Sequence, residues 1–256
     1  MAYKTVMTDV DTAQNKIMSF PGMGKMGPDS TEVNKFMKTL MQANKQLQEN
    51  GYITTLTSKD GSTIVVEMRL DNSEQSVPKT DTAKTDSTFA PFKTLMMVMG
   101  ANALMLRGVI DNYGEIKSFY LSNGQKNLIA LWFQLPGREV KIGDIWPLDV
   151  HLVSADQNFI CDSSYRKNEV KVVNISRKDG DEVVTLQYDI IEYISGTMES
   201  PFTNKPAKTT MNYTFQALAN FSIAKGKWIN YNGIMSINST GMISMRQKQR
   251  FALIPQ

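Results

Sequence analysis

Apolar and polar residues alternate in short runs from Arg138 to the C-terminus, and glycine-containing pairs separate these runs. A period of two is typical of β-strands, because successive side chains point to opposite faces of a sheet. Asp-Gly and Asn-Gly pairs between such runs predict hairpins, since these residues accept the positive φ angles of tight turns. The predicted strands are 170–176, 182–194, 208–216, 219–224, 227–231, 234–238 and 242–253, and the predicted turns are 178–180, 225–226, 232–233 and 240–241.

Two more strand pairs are expected in the first half of the chain. One pair, 52–57 and 62–70, flanks the Asp-Gly turn at 59–61. A second pair, 102–110 and 115–121, turns at 111–114. Both pairs extend the antiparallel pattern to residues before Arg138.

Helical spacing of apolar residues occurs in three stretches. A capping box at 29–32 precedes the first, which predicts a helix at about 31–49. A second helix is predicted at 91–99, and a third, shorter one near 125–133. The resulting expectation is an α+β fold: a curved, mainly antiparallel, half-barrel-like sheet with two or three helices packed on one face. We expect a single domain over 1–256, with polar loops near 72–88 and 196–210.

Composition removes several classes of function. The chain has 256 residues, with 28 basic and 25 acidic side chains, and this balance argues against a nucleic-acid partner. No run of 18 apolar residues occurs, so no transmembrane segment is expected. The single cysteine, Cys161, excludes an intrachain disulfide, and its neighbours Phe159 and Ile160 predict a small buried apolar group.

Catalytic motifs are also sparse. His151 is the only histidine, so every site that uses histidine would have to include it, and its context is that of a surface or half-buried strand position. The G-x-G-x-x-G match at 22–27 precedes a hairpin and not a parallel βαβ unit, which favours a flexible loop over a dinucleotide site. We therefore expect no enzyme, no metal site and no cofactor. The alternative is a hydrolase whose two carboxylates converge only in the folded chain.

Three cations alternate near the C-terminus: Arg246, Lys248 and Arg250. Alternation places them on one face of a strand. Such a row can bind phosphate or lipid head groups. It can equally be a solvated strand face that protects the edge of a sheet.

The chain contains 17 methionines, many of them on the predicted helical faces. Methionine is flexible and polarisable, so methionine-rich surfaces adapt to apolar ligands of varied shape. These faces predict a cavity for a hydrophobic ligand, and the alternative is that the same side chains fill an ordinary core. The candidate cavity residues are Phe36, Met37, Leu40, Met41, Leu95, Met96 and Met99.

Residues 135–146 read LPGREVKIGDIW, which describes a Pro-Gly turn, a short strand with Val140 and Ile142 inward, a Gly-Asp turn and a tryptophan anchor. This LPxxxVxxGDxW element resembles that of an uncharacterised family of exported, often lipid-anchored, β-rich proteins of Gram-negative bacteria. The resemblance continues through the long hairpin and the terminal strands, over about 100–253. The sheet expected for this family is similar to the half-barrels of bacterial lipoprotein carriers.

The resemblance implies a periplasmic or cell-surface protein whose leader has been removed, and composition alone leaves a cytoplasmic location open. It implies no specific activity. Combined with the methionine-rich faces, it predicts a non-enzymatic binding module for a hydrophobic ligand such as a lipid. The alternative class is a structural protein that meets another protein through an exposed apolar patch or a free strand edge.

Overall fold

A computed structural model describes residues 1–10, 16–19, 51–71, 104–119, 123–153, 159–178, 180–199, 206–241 and 244–256. Within these ranges the chain forms twelve strands and one helix. The strands are β1 (Ala2–Asp9), β2 (Lys16–Ser19), β3 (Tyr52–Ser58), β4 (Thr63–Leu70), β5 (Leu104–Asp111), β6 (Ile116–Phe119), β7 (Ile145–Trp146), β8 (Phe159–Lys178), β9 (Asp181–Glu199), β10 (Pro206–Ser222), β11 (Lys227–Thr240) and β12 (Ser244–Pro255). The helix, α1, is Asn123–Phe133.

All twelve strands belong to one open antiparallel sheet. Its order is β6-β5-β4-β3-β1-β12-β11-β10-β9-β8-β7, and β2 also pairs with β12. The chain therefore builds two meanders, which meet where the N-terminal strand β1 pairs with the C-terminal strand β12. This junction explains why β1 lies inside the sheet although it begins at the N-terminus.

One face of the sheet, called here the inner face, holds the core. Because side chains alternate, each row across the paired strands places its members on the same face. One such row runs from Thr5 through Leu253 and Tyr231 to Ala219 and Leu186, and all five residues are buried. The opposite, outer face carries most of the charged side chains of these strands.

The helix α1 packs on the inner face. Its residues Ile129 to Phe133 are all buried. The indole Nε1 of Trp228 donates to the carbonyl of Trp132 at 2.7 Å, and the hydroxyl of Tyr231 donates to the carbonyl of Leu131 at 2.6 Å. These bonds satisfy two carbonyls in the last turn of the helix, where intrahelical donors are missing. No helix of the described residues is long and apolar enough to cross a membrane.

The α+β prediction with two or three packed helices is wrong. The described part of the chain is nearly all antiparallel sheet, and α1 is its one helix. It corresponds to the helix predicted near 125–133. The helices predicted at 31–49 and 91–99 lie outside the described residues, as does the polar loop at 72–88. The sheet content is high because the strands are far longer than the short alternating runs suggested.

The Asn232-Gly233 pair shows how the strands lengthen. This pair predicted a hairpin, but both residues lie within β11, which absorbs the predicted strands 227–231 and 234–238. A Cβ on Gly233 would lie 2.6 Å from the Phe251 ring and 2.5 Å from the carbonyl oxygen of Gln216. Glycine is therefore present to admit an aromatic ring, and not to form a turn. Likewise, β10 unites the predicted strands 208–216 and 219–224.

The other hairpins are confirmed. Strands β3 and β4 pair around the Asp60-Gly61 turn, and β5 pairs with β6 after the predicted turn at 111–114. Strands β8 and β9 pair in the register expected from their Asp-Gly signal, although each extends well beyond its predicted range. Residues 196–199 and 206–210, predicted as part of a polar loop, continue β9 and β10.

The Asp60 carboxylate organises the β3–β4 hairpin. Its Oδ1 accepts hydrogen bonds from the hydroxyl and the backbone amide of both Thr63 and Ser62, over distances of 2.8 to 3.0 Å. The Thr63 hydroxyl is the largest of the contributions that lower the pKa of Asp60 to about 2. These bonds favour the charged form, because only the carboxylate accepts four donors.

We expect an NMR titration of the Asp60 carboxyl carbon to give a pKa of about 2, against an ordinary value of 3.8. Since the folded-state pKa is depressed, the contribution of Asp60 to stability is complete above the ordinary pKa and disappears as the pH falls through the folded value. Replacing Ser62 and Thr63 by alanine removes the hydroxyl donors and should return the pKa toward 3.8. A native Asp60 that titrates near 3.8 would contradict this geometry.

Candidate ligand-binding face

Residues 145–153 form a strap that joins the helix to the far side of the sheet. Strand β7 supplies only Ile145 and Trp146, so the strand position predicted for His151 is wrong. Leu148 and Val150 still point into the core, while Asp149 and His151 point to solvent. Alternation therefore survives in an extended segment that no neighbouring strand pairs with in the described chain.

Side chains replace the missing strand ladder along the strap. Asn168 accepts from the amide of Leu148 at 3.0 Å and donates to its carbonyl at 2.7 Å. On the helix side, Asn127 makes the same reciprocal pair with the backbone of His151, at 2.9 and 2.6 Å. An asparagine amide can replace a strand in this way because it carries both a donor and an acceptor.

An ion pair between the exposed Arg166 and the buried Glu192 fixes the end of the strap. Arg166 Nε lies 3.1 Å from Glu192 Oε1, and the Glu192 side chain is only 8% exposed. Glu192 Oε2 also accepts from the amide of Val153 at 2.9 Å, and the Arg166 guanidinium donates to the carbonyl of Val150. The buried Glu192 carboxylate therefore has a cation and a backbone amide as partners, which is the condition for a buried charge to be tolerated.

The element at 135–146 is a pair of turns followed by the tryptophan anchor. Trp146 is buried, and Asp144 accepts from Arg138 Nη1 at 3.1 Å and from the amide of Lys141 at 3.2 Å. These bonds, with the Lys141 amide first, hold the pKa of Asp144 below its ordinary value. The short inward strand predicted here is wrong, because Ile142 lies in the turn and is 58% exposed.

The inner face extends well past the helix. The contacts of α1 with the sheet include Tyr3, Gly108, Trp228 and Tyr231. Farther along β9 to β12, apolar side chains still point inward and are half-buried. We call this surface the far inner face; its members are Ile194, Met211, Tyr213, Met235, Ile237 and Met245.

Register places these side chains side by side. Ile237 lies opposite Tyr213, and Met211 lies opposite Ile194 on the next strand. Met235 and Ile237 are four and six residues beyond Tyr231, which puts them about 13 to 20 Å farther along the strand. Burial raises the pKa of the Tyr213 hydroxyl, as expected for a phenol among apolar neighbours. The far inner face is thus a mainly apolar surface, in which the inward Ser239 lies between Met211 and Met245.

Polar groups border the far inner face on both sides. Glu192 and its partner Arg166 share the row of Tyr213 on the β8–β9 side. On the other side, Gln249 donates to Asp9 Oδ1 at 3.1 Å. An apolar surface with a guanidinium at its margin fits a molecule that has an acyl chain and a polar head.

The seven residues predicted to line a cavity lie outside the described residues. They are Phe36, Met37, Leu40, Met41, Leu95, Met96 and Met99. The residues of the far inner face were predicted to lie in strands, but they were not predicted to form a site. The available signal was alternation: Met211, Tyr213 and Phe215 occupy every second position of β10, as do Met235 and Ile237 in β11.

Neither of two hollows on the described surface is lined by a pair of carboxylates. A hollow of about 400 Å³ beside the strap contains the carboxylate of Asp149, and a hollow of about 590 Å³ on the outer face contains that of Asp189. Each of these two hollows holds one carboxylate and not a pair. Across the residues described, no three histidine, cysteine or acidic side chains cluster as metal ligands.

The single cysteine and the single histidine of the chain both face solvent. Cys161 is exposed, so its prediction as a buried group is wrong. Burial was predicted from its neighbours Phe159 and Ile160, but Ile160 is itself 71% exposed, and β8 bulges between Cys161 and Ser163. His151 is exposed on the strap, as its surface assignment predicted.

No family model, no curated protein and no solved structure matches this chain. The resemblance of 135–146 to the exported family therefore stays a prediction. The fold and the far inner face are the basis for a functional argument.

Proposed function

We propose that this protein is a non-enzymatic binding module for a hydrophobic ligand with a long apolar chain, such as a lipid. The observation that carries the proposal is the far inner face. Six apolar side chains continue the inner face of β9–β12 beyond the contacts of α1. Three of the six are methionines, which adapt to chains of different shape.

The dimensions of the elements support this proposal. Strand β9 has 19 residues and α1 has 11. At their usual rises these lengths correspond to about 63 Å of strand and about 17 Å of helix. One such helix covers only part of a face built from strands this long. An acyl chain lying across the remaining part would contact Met211, Tyr213 and Ile237.

The first experiment asks whether the protein carries a ligand. Native mass spectrometry of protein purified from its natural compartment, followed by organic extraction, should detect stoichiometric lipid. Nile red should also bind the delipidated, folded protein with a blue-shifted emission, because the dye fluoresces strongly in apolar surroundings. Empty extracts together with an unshifted dye would contradict a hydrophobic site.

The second experiment locates the site. Ile237→Asn places an amide on the far inner face, and we expect it to weaken Nile red binding by about tenfold, the effect of losing roughly 1.4 kcal/mol of apolar contact. Ile234→Asn is the matched control, since Ile234 lies on the same strand, is also half-buried and points to the outer face. Equal loss of binding in both variants would place the dye elsewhere.

A further inference from the structure

The outer face of β12 carries a row of three cations. Arg246, Lys248 and Arg250 are all exposed and alternate along the strand. Alternate residues of a strand are about 7 Å apart, so the row extends over about 14 Å. Its regular spacing presents three positive charges to the same side of the sheet.

Edge protection does not explain this row. Strand β12 pairs with β1 and β2 on one side and with β11 on the other, so it lies inside the sheet. Charged rows protect edges because an exposed edge has unpaired backbone groups. Between Arg246 and Arg250 the ladder to β11 is continuous. Edge protection is therefore the wrong interpretation of these residues, which leaves a solvated strand face or an anion-binding surface.

In the registers of the described strands no acidic residue lies opposite the row, and Arg246 lies opposite Lys16 of β2. Arg250 lies opposite Thr8 of β1 and Ile234 of β11. Lys248 and Arg246 lie opposite Ser236 and Asn238, which are also neutral. The first carboxylate in the row of Arg250 toward β8 is that of Asp189, three strands away at about 14 Å.

Asp189 already forms an ion pair with another cation, Lys167. Its carboxylate lies 2.5 Å from Lys167 Nζ and accepts a hydrogen bond from Gln216 at 3.3 Å. The Lys167 bond is the largest of the contributions that lower the pKa of Asp189. Asp189 is thus already paired with Lys167, three strands from Arg250.

Apolar side chains accompany the cations on the outer face. A hollow of about 590 Å³ lies beside the row, and its lining includes Gln187, Gln216, Leu218, Asn232, Ile234 and Arg250. Leu218 is 55% exposed, and Ile254, at the far end of β12, is 44% exposed. Exposed aliphatic groups beside a cation row match a bilayer surface, which offers anionic head groups above an apolar interior.

We propose that the outer face of β10–β12 docks on an anionic phospholipid membrane, through Arg246, Lys248 and Arg250 with Leu218 and Ile254 beside them. This inference does not depend on the ligand proposed for the inner face, because the two surfaces lie on opposite sides of the sheet. A bilayer fits better than nucleic acid, since the outward residues of β1, β10, β11 and β12 that flank the row are aliphatic, hydroxyl or amide side chains and not stacking aromatics.

The test is co-sedimentation of the full chain with vesicles. Vesicles of phosphatidylcholine with phosphatidylglycerol should bind the protein, and phosphatidylcholine alone should bind it much less. Replacing all three cations by glutamine should reduce the partition coefficient about 100-fold, since each cation near an anionic surface contributes about fivefold. Raising the salt concentration should weaken the binding of the native chain, because exposed charges are screened.

A matched variant separates this row from net charge. Lys59, Lys141 and Lys225 are exposed cations in turns outside β12, and their replacement by glutamine removes the same three charges. This control should bind anionic vesicles nearly as the native chain does. Conversion of Arg246 and Arg250 to lysine should preserve binding, since a membrane surface requires charge and not a bidentate fork.

Three outcomes would overturn the proposal. The first is equal binding to neutral and anionic vesicles, and the second is equal loss in the two triple variants. The third is binding of single-stranded RNA or an acidic peptide by a protein that ignores vesicles. Circular dichroism of each variant confirms that the comparison is made between folded proteins, and Nile red binding reports separately on the inner face.

Discussion

Replacing Gly114 by alanine is expected to lower the free energy of unfolding by about 3 to 5 kcal/mol, which combines backbone strain with overpacking. Gly114 ends the β5–β6 turn and has a φ of 79°, in the left-handed region. A Cβ there would lie 1.8 Å from the carbonyl oxygen of Phe133 and 2.7 Å from Gln134 Cα. These are backbone atoms at the end of α1, so no side-chain rotation relieves the overlap.

Gly61 provides the control for this substitution. Its φ of 80° nearly equals that of Gly114, but a Cβ on Gly61 would have no neighbour within 4 Å. Gly61→Ala should therefore cost only the backbone strain, about 1 to 2 kcal/mol. Urea unfolding of both variants gives the difference directly. Equal destabilisation would mean that the turn does not press against the end of the helix.

Local turn chemistry made part of this fold predictable. Asp60-Gly61 and the glycines at 180, 226 and 241 end strands where they were expected to, because each has a positive φ that few other residues adopt. The helix near 125–133 was predictable for a related reason. Its inward face carries Ile129 and Trp132, and helical spacing marks both.

Three departures from prediction have physical causes that act across strands. Gly233 breaks the pattern as a turn does, yet its role is set by the Phe251 ring on a neighbouring strand. The strap keeps strand-like alternation, but its hydrogen bonds come from Asn127 and Asn168, far away in sequence. Strand β1 escaped prediction because its core positions include the polar Thr5, which becomes an inward residue only when β12 pairs beside it.

The candidate ligand face could not be predicted from the sequence, because it forms only when separate strands pair. Tyr213 and Ile237 were predicted in two separate strands, and only the register of β10 and β11 brings them into one row. Their neighbours Glu192 and Arg166 join that row through two further strand pairings. A site that exists only as a row across four strands has no contiguous sequence signal. The cation row differs, since all three members lie on one strand.

Removing the indole of Trp228 is expected to cost about 3 to 5 kcal/mol of stability in the variant Trp228→Ala. The side chain is 2% exposed and packs edge-on against Phe221, with ring centroids 4.9 Å apart. Its Nε1 donates to the carbonyl of Trp132 at 2.7 Å, so the substitution also leaves a helix-end carbonyl without its donor. The backbone amide of Trp228 donates to the Tyr3 hydroxyl at 3.2 Å, which couples β11 to β1.

A substitution of the adjacent residue, Ile229, is the control. It distinguishes the loss of packing at Trp228 from a general destabilisation of β11. Ile229 is 43% exposed, and Ile229→Ala should change stability by less than about 1 kcal/mol. Trp228→Phe should fall between the two, because it keeps a ring in the core but loses the bond to Trp132. Hydrogen exchange gives the spatial readout: amides of Ile129 to Phe133 should exchange faster in Trp228→Ala than in Ile229→Ala. Trp228 and Tyr231 donate to the carbonyls of Trp132 and Leu131 at the end of the helix. Unchanged protection of that segment in Trp228→Ala would therefore show that contacts other than Trp228 hold the helix on the sheet.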